Sequence, residues 1–495
     1  MDIKRRFAED FEKSSQNNLS FDLGQLEANQ PSDRHKGKSK KKRVVTIVFV
    51  AVGAVFVGVL AVPVLAFFRV SSSVHLTRRY YLASEMAIAE SNTFKALNQV
   101  AYPSADSPVR SVLRDEEKSS YINFSNYTYH AMVDASNANN ACYSPLGLYS
   151  TMNELRGASS RDDLSEKLDN LLGLEKESRV LLYSKMMGAN SFARASSTIQ
   201  LRNAAFFNNR FSPSRDYVDY LTSLYCQAYS MDLKADAGKI IEWADQATGS
   251  SNFIDNAFLE IDDQSEFLLL SSVYFKSAWH NKYLSENNVS DPFYLSSGST
   301  VTATYMKHSY FADCYYDYGS YISVKDYYLN SWASVTYLVP KDVNQNIFEL
   351  TKSANIFEED SDKKVSTPNG RGTMVELKTP KFHFKADSDF KSCLRALDLG
   401  EVFDPNINSF GNAFSDENAD STNFYLQNLK QRNEVEFNED GSTVRSVSFG
   451  AGAGSAAPYS DGGLEVELNQ PFIYIIKDIN DMPIFVGHVD NPTLS

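Results

Sequence analysis

Residues able to do chemistry are plentiful in this chain, but nowhere do they form a catalytic signature. H-E-x-x-H, G-x-S-x-G and G-x-x-x-x-G-K-[ST] are all missing from the sequence. The run Gly450-Ala451-Gly452-Ala453-Gly454 has the glycines of a phosphate cradle without the lysine and following helix that such a cradle needs. His75, His130, His280, His308, His383 and His488 each stand alone among apolar or strand-like neighbours and read as structural or surface groups. The cysteines Cys142, Cys226, Cys314 and Cys393 lie about eighty residues apart without a C-x-x-C, so neither a disulfide framework nor a zinc site is expected. No catalytic residue, cofactor or metal is assigned. A triad brought together only in space stays as an alternative.

A different chemistry is offered by the stretch Asn438–Gly463. It opens on Glu439-Asp440-Gly441, continues through Ser442-Thr443-Val444-Arg445-Ser446-Val447-Ser448-Phe449, and then becomes a run of small residues up to Ala457. So little side-chain bulk predicts an exposed, mobile loop. Its first half nevertheless alternates Ser442, Val444, Ser446 and Ser448 against Thr443, Arg445, Val447 and Phe449, the period of two that a strand requires. A loop able to become a strand is the informative feature of this stretch.

The elements around this loop follow from the rest of the chain. With 495 residues, 43 % apolar and 22 % charged, the chain can bury a substantial core. Residues 1–43 carry a net charge of +4 against -14 for the whole, so the remainder is strongly acidic and repels nucleic acid. Val44–Phe68 holds twenty-five residues without a charge. As a helix that is about 37 Å, enough to cross a hydrocarbon core of about 30 Å. Arg34–Arg43 places a basic run before it, which predicts a single-pass anchor with a cytoplasmic N-terminus. Residues 1–43 then read as a disordered cytoplasmic tail, 69–120 as a stalk with a helix-like piece over Tyr80–Val100, and 121–495 as a folded extracytoplasmic domain.

That domain reads as mixed α/β. Ser144-Pro145 supplies an N-cap and a first-turn proline for a helix reaching Gly157. Strand-like runs cover Phe267–Phe275, Ser334–Val339, Met374–Phe384, Leu464–Leu468, Phe472–Lys477 and Ile484–Val489, the last two forming a hairpin over Asp478-Ile479-Asn480-Asp481. No fixed-period repeat is present.

In this order the landmarks resemble those of the serpins. They are Ser144-Pro145 with Gly157-Ala158, Asn203-Ala204 with Phe206-Phe207, Trp243 with Thr248-Gly249, and Tyr274-Phe275-Lys276 with Trp279. Leu338-Val339-Pro340-Lys341, Pro380-Lys381-Phe382, Leu399-Gly400 and Glu439-Asp440-Gly441-Ser442 follow, then Pro471-Phe472 and Phe485-Val486-Gly487 with Asn491-Pro492. The resemblance implies one domain of about nine helices around three sheets, with sheet A five-stranded in the native state and a reactive loop, about 439–463, above it. It also implies a monomeric inhibitor of an extracellular serine, or cysteine, protease, acting as suicide substrate: the target cuts the loop, and the loop inserts into sheet A. No nucleic acid is involved, and the chain is not itself an enzyme.

Carried over residue by residue, the hinge is Glu439, Gly441, Ser442, Thr443, Val444 and Ser446. Val444, Arg445 and Ser446 stand where inhibitory members have alanines. Family spacing puts the scissile bond between Ser455 and Ala456, with Ala453, Ala457 and Tyr459 as other registers in a loop about five residues longer than usual. Small residues there suit an elastase-like or subtilisin-like target. The sheet-opening region maps to Ser144, Ser271, Trp279 and Gln431, with Gly147 in place of a second serine. A non-inhibitory serpin used for binding or structure is the alternative.

Overall fold

The computed structural model describes residues 88, 93–103, 105–135, 140–365, 373–415, 422–444 and 464–494. These all belong to one compact unit, Met86–Ser495. The expected tail and the span Val44–Phe68 lie outside the described residues. Among the described residues no helix is long and apolar enough to cross a membrane.

The chain runs β1 (Lys95–Ala96), α1 (Asp115–Ala135), β2 (Asn140–Tyr143), α2 (Pro145–Ala158), α3 (Asp162–Leu172) and α4 (Lys176–Ala189). Then come β3 (Ser191–Arg194), β4 (Ser197–Asn208), α5 (Arg215–Ser223), β5 (Cys226–Met231), α6 (Ala237–Thr248), α7 (Asn256–Leu259) and β6 (Phe267–Ala278). The middle holds β7 (Val289–Tyr294), β8 (Thr300–Ala312), β9 (Tyr315–Asp317), β10 (Tyr321–Tyr327), β11 (Ala333–Pro340) and α8 (Ile347–Thr351). The last third is β12 (Thr373–Pro380), β13 (Phe382–Asp389), α9 (Lys391–Ala396), β14 (Lys430–Asn438), β15 (Gly441–Val444), β16 (Leu464–Glu467), β17 (Phe472–Asp478) and β18 (Pro483–Val489). Nine α-helices and three sheets thus form among the described residues, a mixed α/β architecture.

Sheet A has eight strands in the order β1-β5-β4-β6-β15-β14-β13, with β3 paired to β4. Sheet B runs β2-β18-β17-β11-β10-β9, and sheet C β16-β12-β8-β7. The five-stranded sheet A expected from the sequence is therefore too narrow. β15 supplies hinge residues, β3 folds back on β4, and β1 comes from upstream of the expected domain.

Local chemistry explains the main elements. Ser144 caps α2 by accepting the Gly147 amide at 3.1 Å, and Pro145 begins the helix. Gly157 near the end of α2 lies under the Tyr220 ring of α5, where an added Cβ would come within 2.2 Å of a ring carbon. The run Met374–Phe384 is not one strand. It divides at Lys381 into β12 of sheet C and β13 of sheet A, because two elements meet at Pro380-Lys381-Phe382 and the run is apolar on both sides. The C-terminal hairpin forms as read: Asp478 closes the β17–β18 turn by accepting the amides of Asn480 at 2.8 Å and Met482 at 3.0 Å.

The stalk expectation also needs correction. Of the helix-like piece Tyr80–Val100, the described residues are not helical, and Lys95–Ala96 pair with Ser230 and Tyr229 of β5. Phe94 is buried in a second core with Phe206, Tyr229 and Trp243, and α1 already starts at Asp115. Hydrophobic burial and an open strand edge draw this segment onto the domain.

Substituting Gly157→Ala forces the Tyr220 ring to move and is expected to cost about 1–3 kcal/mol. A lower urea midpoint at unchanged slope is the expected result, and an unchanged midpoint would show that the ring shifts freely.

Candidate functional site

The sequence-derived hinge and sheet-opening residues meet along one seam, between β6 and β14. β14 ends at Asn438, Glu439-Asp440 make a two-residue turn, and the chain returns as β15, antiparallel to β14 on one side and to β6 on the other. The pairs are Gly441 with Asn438 and Ala278, Ser442 with Phe437 and Ser277, Thr443 with Glu436 and Lys276, and Val444 with Val435 and Phe275. The stretch Asn438–Gly463 is accordingly not a loop from its first residue: 441–444 are a strand inside sheet A. Ser446, Ser455 and Ala456 lie outside the described residues, as do Ala453, Ala457 and Tyr459.

Glycine is required at the first paired position. Gly441 has φ +155°, and a Cβ there would fall 2.1 Å from the Ser277 carbonyl oxygen and 2.8 Å from the Ala278 Cα, both backbone atoms that cannot swing aside. Ser442 is buried on the inner face, whereas Thr443 is half-buried, in keeping with the period of two.

The turn is clamped from outside. Glu439 takes an ion pair from Lys381 at 2.9 Å and a short hydrogen bond from the Asn288 side-chain amide. Burial opposes its ionisation, but these bonds outweigh burial and hold its carboxyl below the ordinary value. Beneath the turn, the Trp279 indole donates to the Asn438 carbonyl at 2.8 Å, joining the end of β6 to the end of β14. Trp279 stacks on Tyr328 at 4.8 Å and packs edge-on against Tyr283 at 5.4 Å. Tyr283 in turn stacks on His308 at 4.1 Å, whose Nε2 lies 3.2 Å from an Asp326 carboxylate oxygen. His308 was solitary in sequence and is paired in space, as is His383 with Glu434 at 2.9 Å.

Lower down, Gln431 of β14 grips the backbone of Ser144: its amide donates to the Ser144 carbonyl at 3.1 Å and its oxygen accepts the Ser144 amide at 2.9 Å. The Ser144 hydroxyl donates to the Ile484 carbonyl at 2.7 Å. Ser271 of β6 faces the same spot, where a Cβ on Gly147 would meet the Gln431 amide nitrogen at 3.0 Å and the Ser271 oxygen at 3.3 Å. The Ser271 hydroxyl is sealed from solvent with no hydrogen-bond partner among the described residues. The four residues read as the sheet-opening region thus lie at or beside the seam, with Gln431 tied to the cap of α2.

The sequence reading missed Asn288, Tyr283, Tyr328 and the His308–Asp326 pair. Lys381 stood within a landmark and carried a signal, whereas no local pattern marked Asn288 for this role. The cysteines are free thiols, Cys142, Cys226 and Cys393 buried and Cys314 half-buried, with burial pushing Cys142 and Cys393 up to about 12. Among the described residues no group of His, Cys, Asp or Glu could hold a metal.

The profile of the family described as Serpin (serine protease inhibitor) matches residues 119–492. The chain belongs to the serpin family. It is 24 % identical over 388 residues to Serpin-Z4 of Hordeum vulgare, covering 72 % of this chain and 91 % of that one. Alpha-1-antitrypsin 1-2 of Mus musculus is 23 % identical over 376 residues, covering 74 % and 86 %. The crystal structure of a thermophilic serpin, Tengpin, in the native state superposes with a TM-score of 0.67 at 19 % identity, covering 80 % of this chain and 100 % of that one. Members of this family are in general inhibitors of serine proteases and not enzymes, and this serpin shares their fold.

Two outcomes are expected at the hinge. Gly441→Val should expel β15 from the sheet and expose Trp279, seen as a red shift in tryptophan emission that vanishes when Trp279 is already Phe. Because the carboxyl of Glu439 is held below its usual value of 4.5, its clamp contributes above that pH and is lost as pH falls through the lowered value. Urea midpoints of the parent and Glu439→Gln should thus differ at neutral pH and converge on acidification below pH 4.5; a constant gap would refute the clamp.

Proposed function

We propose that this serpin inhibits a serine-type endopeptidase as a suicide substrate. A protease attacks the loop, forms an acyl-enzyme at the carbonyl of the cut bond, and releases the new amino terminus. The severed loop then continues β15 downward between β6 and β14. The observation that supports this most is the pairing of residues 441–444 on both edges: the first turn of insertion already has a slot.

Carried on in the same register, the strand would bring Ser446 opposite Val273 and Asn433, and Ser448 opposite Ser271 and Gln431. Serines are small enough for these inner positions, and Arg445 would face outward beside Glu434. The hinge is taken as Glu439, Gly441, Ser442, Thr443, Val444 and Ser446, and the scissile bond as Ser455–Ala456. Small residues around that bond fit the shallow primary pocket of an elastase-like or subtilisin-like enzyme. The domain is taken to sit outside the cell, held by the single span Val44–Phe68 with residues 1–43 cytoplasmic. That topology is supported by twenty-five uncharged residues behind a basic run.

A non-inhibitory role is favoured by one feature, the Val444-Arg445-Ser446 run in place of small uncharged residues. Slower insertion gives water time to release the acyl-enzyme, so the loop would be cut as an ordinary substrate.

Mixing the protein with elastase-like and subtilisin-like proteases separates the readings. Inhibition predicts a protease-linked band that survives boiling in detergent, with loop cleavage raising the melting temperature by tens of degrees. Clean cleavage without a linked band, and a melting temperature that does not move, would refute the trap.

A further inference from the structure

The segment upstream of the family match does more than connect. Phe94 is fully buried and stacks on Tyr229 of β5 at 5.0 Å. Lys95–Ala96 add a strand to the outer edge of β5, and the Leu97 amide donates to the Ala228 carbonyl at 2.8 Å. Asn98 makes three bonds at that edge: it accepts the Ala228 amide at 2.8 Å and donates to the Cys226 carbonyl at 3.0 Å and the Thr222 hydroxyl at 2.8 Å. Tyr102 then lies under the Arg202 guanidinium of β4 at 4.2 Å, and Ala105 bridges Phe192 of β3. Beyond sheet A, the Val109 amide donates to the Gly188 carbonyl of α4 and the Ser111 amide to the Asn480 side chain in the β17–β18 turn of sheet B, both at 3.0 Å.

The placement of these anchors has a mechanical meaning. Among the described residues, no ladder joins β6 directly to β14; the two are linked through β15. Sheet A is thus two halves, β1-β5-β4-β6 and β14-β13, meeting at one seam. A strand inserted along the whole of β6 and β14 needs the two held two strand spacings apart, about 9.6 Å, as β15 already holds them at its own level. One half carries the strand and ring contacts of residues 94–105, while the same segment continues to Asn480 of sheet B. Pinned every few residues, it has little slack.

We propose that residues 93–114 are a strap holding the β1-β5-β4-β6 half against the body of the molecule, so that the seam opens only when the strap slips or peels. The surface it occupies, the outer edge of β5 with the Tyr229 and Arg202 side chains, is a docking site for the chain's own upstream segment. Its release lowers the barrier to strand insertion.

The test is amide hydrogen exchange on the full chain, with Asn98→Ala, which removes three bonds at a half-exposed position, and Phe94→Ala as the stronger lesion. The strap reading expects peptides spanning 273–278 and 430–438 to exchange at least about threefold faster in both variants, with the 472–489 hairpin unchanged. Faster exchange confined to 93–105 and 226–231 overturns it, because the strap would then have peeled without affecting the seam. Faster exchange everywhere, hairpin included, also overturns it, as the sign of general destabilisation. This readout needs neither cleavage nor a protease, so a failure of the inhibitory reading is distinguishable from a failure of the strap.

Discussion

The molecule is organised around a backbone-to-backbone approach at Gly441. There the returning chain passes so close to Ser277 and Ala278 that no side chain fits. Once that approach is made, the next three residues find unmet strand edges on both sides, and pairing follows. The Trp279 bond to Asn438 and the Lys381–Glu439 pair fix the turn around this point from below and from outside. Sheet A consequently holds β15 as a strand between β6 and β14.

Below the hinge, the buried polar groups are unevenly shared. Ser144 is a hub, bonded through backbone and hydroxyl to Gln431, Gly147 and Ile484, and so binds α2 to β14 and sheet B. Ser271, across the seam, has a sealed hydroxyl with no partner among the described residues. Leaving such a group unsatisfied costs about 1–3 kcal/mol, a reserve that a strand bearing a hydroxyl could recover.

The outer edge of sheet A is governed by another general constraint. Strand edges with free amides and carbonyls recruit partners, and β5 would present such an edge if the domain began where the family match does. The upstream segment covers it. Residues with no counterpart among the family landmarks thus become an edge of sheet A, and part of the expected stalk belongs to the folded unit.

Much of the fold was legible in the chain. The Ser144-Pro145 cap, the β17–β18 hairpin with its Asp478 turn, and the alternation of Ser442 and Thr443 are local patterns, set by backbone preference and period, and each forms as read. The family landmarks ordered these pieces. Contacts between distant segments were not legible. Asn288 meeting Glu439, His308 meeting Asp326 and Phe94 meeting Tyr229 join residues 151, 18 and 135 positions apart, and no local pattern encodes such pairings. The sequence alone determined that a small-residue, strand-competent segment follows Gly441. Only the tertiary structure decided that residues 441–444 already lie inside the sheet, because that depends on the free edges of β6 and β14 lying one strand-width to either side of them.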